Sequence, residues 1–61
     1  MGNYKFYTIQ VDTAAGMPYY HTFQTKAYAE RIYRDQCEKL TEGCVTMFEN
    51  HEWVKEFVKE A

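Results

Sequence analysis

The N-terminal third of the chain alternates. From Asn3 to Val11 (NYKFYTIQV), Tyr7, Ile9 and Val11 fall on one face and Tyr4, Phe6 and Thr8 on the other. Period-two alternation in a run of aromatic and β-branched residues predicts a strand. Asp12-Thr13-Ala14-Ala15-Gly16-Met17-Pro18 breaks it with three turn-forming residue types, and Gly16 is expected to supply a positive φ. Tyr19 to Gln24 (YYHTFQ) resumes extended character, with Tyr19, His21 and Phe23 on one face and Tyr20, Thr22 and Gln24 on the other. The economical reading is a β-hairpin with a medium-length loop.

At Thr25 the period changes to 3.6. Ala29, Tyr33, Gln36 and Leu40 form one stripe flanked by Ile32 and Cys37, while Arg31, Arg34, Asp35 and Glu38 lie opposite. A helix over residues 25–40 follows, with the Thr25 hydroxyl as its expected N-cap and Gly43 as its expected terminator. Glu30–Arg34, Arg31–Asp35 and Arg34–Glu38 are spaced as i,i+4 ion pairs.

The last third supports two readings. Cys44 to Glu49 is strand-like. Trp53, Val54, Phe57 and Val58 then fit either a return strand turning at Asn50-His51 or a short helix capped by Asn50. A helix would stack Glu52–Glu56, Lys55–Lys59 and Glu56–Glu60 as like charges, and Trp, Val and Phe suit strands. Against that, Glu52–Lys55 and Glu56–Lys59 pair well on a helix, and Asn-His is a weaker turn than Asn-Gly. The return strand is preferred. The predicted fold class is α+β, a single domain over residues 1–61 of form ββαββ, an antiparallel sheet with one helix on one face. The alternative is ββαβα with a C-terminal helix.

At 61 residues this is one small domain whose core holds about a dozen side chains, too small for a large catalytic cleft. The net charge is −2 and evenly spread. Residues 1–25 carry Lys5 against Asp12; residues 26–42 carry four of each sign; residues 43–61 carry Lys55 and Lys59 against Glu49, Glu52, Glu56 and Glu60. Nucleic-acid binding draws on clustered Lys and Arg, and no cluster forms here. The longest uncharged stretch, Thr13 to Thr25, is too short and polar to cross a membrane. The N-terminus has no basic region followed by an apolar run, and Phe6 occupies the position where an N-myristoylation motif needs Ser or Thr. A cytoplasmic location is expected.

Candidate chemistry is sparse. Cys37 and Cys44 are expected as free thiols packed as small hydrophobes. His21, His51 and the two cysteines lack the tight spacing of a zinc site, so no metal or other cofactor is expected. The chain has no serine and no glycine-rich phosphate loop; no catalytic residue is assigned, and an enzyme is not expected.

The informative excess is aromatic: six Tyr, four Phe and one Trp. The helix stripe can cover Tyr7, Ile9, Val11 and Phe23. It cannot also cover the opposite face, which leaves Tyr4, Phe6 and Tyr20, joined in one hairpin register by Phe48 and Trp53. These tyrosines can merely shield a two-sided sheet. Alternatively Tyr4, Phe6, Tyr20, Phe48 and Trp53 form a protein interface, because aromatic residues concentrate in interface cores. A homodimer through this face or through sheet edges would relieve the marginal stability of so small a core. The expected function is a non-enzymatic protein-interaction module, its partner itself or another protein. The plan is generically similar to small stand-alone bacterial or phage proteins, which implies an accessory or inhibitor role. The alternative is a single-stranded nucleic-acid binder that stacks bases on the aromatic face.

Overall fold

A computed structural model describes residues 5–60. Its elements are β1 (Tyr7–Thr13), β2 (Tyr19–Phe23), α1 (Lys26–Lys39), β3 (Gly43–Glu49) and β4 (Glu52–Lys59). The ββαββ reading holds, and residues 52–59 form the return strand. All pairings are antiparallel, in the spatial order β2-β1-β3-β4. The helix therefore connects an edge strand to a central one.

The predicted parity places the core. Ile9 and Val45 are fully buried, with Tyr7, Val11 and Met47 beside them on the sheet and Ala29, Tyr33 and Leu40 closing over from the helix side. Phe23, Ile32 and Cys37 pack at its margin. Each of the large aliphatic side chains contributes about 1.5–3 kcal/mol by leaving water. α1 lies over β1 and β3 and touches β2 less. It meets β4 through one polar tie: Lys55 donates to Glu30 Oε1 at 2.6 Å, and its Nζ sits 4.7 Å from the Tyr33 ring centroid.

The hairpin between β3 and β4 turns on Asn50 (φ 51°) and His51 (φ 72°). Two successive positive φ values are what a two-residue turn needs to match the twist of its strands. Asn accepts that backbone readily and His less so. Two hydrogen bonds lock the turn to the start of β1: Phe6 N–H donates to Asn50 Oδ1 at 2.9 Å, and Asn50 N–H donates to the Phe6 carbonyl at 3.0 Å.

Several local expectations are corrected. Thr25 occupies the N-cap position with an extended backbone, but its hydroxyl makes no capping bond; its carbonyl accepts from Ala29 N–H instead. Glu30 pairs with Lys55 and Asp35 with Lys39, in place of the arginine partners that spacing suggested. Gly16 does not have a positive φ; among the described glycines only Gly43 does. Nor does Gly43 end the helix, which stops at Lys39 with Leu40 already extended. Gly43 opens β3 at φ 137°, where an added Cβ would overlap the Asp12 carbonyl oxygen and come within 2.9 Å of Thr13 Cα. The glycine is required by the close approach of two strands.

Gly43→Ala is accordingly expected to cost at least about 2 kcal/mol, a drop in Tm of about 10 °C or more for a domain this size. Thermal denaturation showing an unchanged Tm would contradict the strand contact.

Tyr33 gives a second test. Burial first, then the neighbouring Cys37 thiol and the Glu30 and Glu56 carboxylates, push its hydroxyl from 10.0 up to about 12. The raised folded-state value means that its contribution to stability is intact below pH 10 and is lost as pH rises through 12. Tyr33→Phe should make Tm fall less steeply than wild type across that interval. Parallel curves for the two proteins would rule out Tyr33 as a source of the alkaline loss.

Candidate functional site

One helix covers one face, and the register defines what the other presents. Partners across an antiparallel ladder share a face, so the rows of the open side can be read directly. Thr22, Thr8, Phe48 and Trp53 form one row; Tyr20, Gln10, Thr46 and Glu56 form the next; Asp12, Cys44 and Val58 form the third. Tyr20, Trp53 and Val58 are each about 60% exposed (63, 62 and 60%). Phe48 is half-buried between Thr8 and Trp53. Thr8, Gln10, Tyr20, Thr22, Phe48 and His51 line a shallow depression of about 480 Å³. Its lining is half threonine and glutamine and half aromatic.

Of the five residues expected at an interface, Tyr20, Phe48 and Trp53 share this face. Phe6 precedes β1 and takes no part in the sheet ladder. Its ring meets His51 edge-on at 4.9 Å between centroids, so it borders the depression from the turn. The reason is local: the bonds to Asn50 hold Phe6 against the β3–β4 turn just before the ladder begins. Tyr4 lies outside the described residues.

His51 was not among the expected site residues, and neither were Val54, Phe57 and Val58. Val54, 40% exposed, occupies an irregularity between the Met47–Lys55 and Phe48–Trp53 pairs. Phe57, 38% exposed, faces the helix side opposite Val45 but beyond the cover of α1. Exposed apolar surface thus concentrates on β4, on both of its faces. In the sequence, the adjacent pairs Trp53-Val54 and Phe57-Val58 were the available signal, since neighbouring apolar residues in a strand point to both of its faces.

The electrostatics of the open face are acidic. Asp12 and Glu56 lie on its rows and no Lys or Arg does. Burial, then the Glu56 and Asp12 carboxylates, raise the Cys44 thiol above its ordinary pKa, and burial raises that of Cys37 on the helix. Both cysteines are free. A raised pKa keeps a thiol protonated and weakly nucleophilic. His21 stacks on Phe23 and meets Tyr19 edge-on at the β2 edge, and among the described residues no group of His, Cys, Asp and Glu is arranged to hold a metal ion. No helix among the described residues is long and apolar enough to cross a membrane.

Comparison with protein-family models, curated proteins and solved structures finds no match to this chain.

If the open-face aromatics shield nothing, removing them spares the fold. Tyr20→Ser and Trp53→Ser should each change stability by less than about 1 kcal/mol, against about 2–5 kcal/mol for Met47→Ala in the core. Urea denaturation compares them directly. Losses of core size at Tyr20 and Trp53 would make these side chains structural.

Proposed function

We propose that this protein is a small non-enzymatic interaction module, acting as an accessory or inhibitor, that binds another protein surface through the open face of its sheet. The observation that carries the reading is the exposure of Tyr20, Trp53 and Val58, each about 60%, on one sheet face, with Tyr20, Phe48 and His51 lining a depression in it and Trp53 beside Phe48. Rigid aromatic side chains contribute large contact areas at low entropic cost and dominate binding hot spots. The polar lining of Thr8, Gln10 and Thr22 supplies hydrogen-bonding groups that would orient a side chain entering between them. The chemistry of the face favours a partner segment that is apolar with a basic flank, because Asp12 and Glu56 stand on the rows beside the aromatics. The same carboxylates, with no cation among them, oppose base stacking along a phosphate backbone.

Pull-down from the source organism's extract, with wild type beside a Tyr20→Ser/Trp53→Ser double variant, tests the proposal. A protein retained by the wild type and lost with the double variant, while the circular dichroism spectrum is unchanged, is the expected result. Equal capture by both would remove the open face from the function, and salt-sensitive retention of single-stranded DNA or RNA alone would replace the partner class.

A further inference from the structure

β4 ends the sheet with a free edge eight residues long, and it presents Trp53, Val54, Phe57 and Val58 all at least 38% exposed. A strand apolar on both faces at an unpaired edge lacks a neighbour on both its hydrogen-bonding and its packing sides. We propose that this neighbour is β4 of a second copy, paired antiparallel about a two-fold axis at Glu56, giving a continuous eight-stranded sheet with both helices on one side.

The register follows from symmetry and side-chain pattern. A two-fold axis normal to the sheet places one residue opposite its own copy and keeps each face continuous, so only a few registers exist. With the axis at Glu56, Lys55 faces Phe57 of the second copy. Trp53, with Val54 beside it in the irregularity, faces Val58, and Glu52 faces Lys59. Each pair occurs twice. Two apolar pairs and two opposite-charge pairs therefore form across the seam. Moving the axis to Lys55 sets lysine against lysine and Trp53 against Glu56. At Phe57 it sets Lys55 against Lys59, and at Val58 it sets Glu56 against Glu60. Of these four registers, the Glu56-centred one alone sets opposite charges against each other and Trp53 against Val58. Its unfavourable elements are the Glu56–Glu56 contact on the axis and the Lys55–Phe57 pairs, the latter eased because the Lys55 ammonium is held by Glu30 and the Tyr33 ring.

Two features that ordinarily block edge pairing are compatible here. An inward-pointing lysine and a strand irregularity are common edge defences. Lys55, however, is drawn onto Glu30 and the Tyr33 ring, away from the seam. The irregularity at Val54 brings Trp53 onto the same face as Val58 of the second copy; without it, their parities would disagree. Both features select one register against slippage. The seam would also join the two open faces, so that each Trp53 lies beside Val58 of the other copy and the aromatic surface doubles in width. The pairing itself stands on β4 alone; only the use of the widened surface rests on the interaction-module reading.

Sedimentation equilibrium over a micromolar-to-millimolar series is the test. Wild type should dimerise. Glu52→Lys and Lys59→Glu should each weaken the dimer about tenfold, since each turns two attractive cross-strand pairs repulsive. The Glu52→Lys/Lys59→Glu double variant should return to within about threefold of wild type, and Glu56→Gln should tighten association about fivefold by relieving the contact on the axis. All three positions are exposed on the edge strand, and the rescue by the double variant separates loss of pairing from loss of folding. A monomer at every concentration, or a dimer that ignores the charge reversals, overturns the pairing. A charge-insensitive dimer abolished by Tyr20→Ser would do so while supporting contact through the open face, whereas intact pairing with equal pull-down by the open-face double variant would leave the dimer standing and remove the module reading.

Discussion

The structure depends on one mismatch of dimensions. Four strands spaced about 4.8 Å apart make a sheet about 14 Å across between its outer backbones, and one helix with its side chains is about 10 Å wide. α1 can bury the inward rows of the two central strands, and it does: Ile9 and Val11 on β1 and Val45 and Met47 on β3 are closed off from water. It has little left for the edges. β2 keeps its inward Tyr19, His21 and Phe23 in a chain of ring contacts, with Tyr19 hydroxyl donating to Gln36 at 3.3 Å and Phe23 meeting Tyr28 edge-on at 5.0 Å. β4 is tied to the helix by Lys55, and its apolar side chains extend past that tie. Among the described residues no other element lies over them.

That shortage explains the division of labour among the aromatics. Tyr7 and Tyr33 are core residues. Phe23 and Tyr28 seal the margin of the helix, and Phe6 and His51 brace the β3–β4 turn. Tyr20, Phe48, Trp53 and, beyond the helix, Phe57 serve none of these ends in the isolated chain. Their exposure makes physical sense when another surface covers them.

Much of this was legible in the sequence because it is local. Alternation assigned Tyr7, Ile9 and Val11 to the buried side of β1, and the 3.6 period selected Ala29, Tyr33 and Leu40. Like-charge spacing argued correctly that residues 52–59 are a strand. What stayed hidden is non-local. The spatial order β2-β1-β3-β4 puts β4 at an edge, and no property of residues 52–59 alone states that. Gly43 was read as a helix terminator because glycine after a helix usually is one; its true constraint is the Asp12 carbonyl, thirty-one residues away in sequence. Phe6 fits the alternation of β1, but the bonds from Asn50 take it before the ladder does. Glu30 has an arginine four residues on and uses a lysine on β4 instead, since that lysine is held against the sheet.

On the pairing proposed above, the exposed apolar surface of β4 is an unfinished contact. The most direct measurement is a dilution series of amide chemical shifts with backbone assignments. Concentration-dependent shifts confined to residues 52–59 and the adjoining open-face rows, with the α1 amides unmoved, are expected of that pairing. Spectra that superimpose at every concentration, or shifts centred on the outer side of the helix, would contradict it.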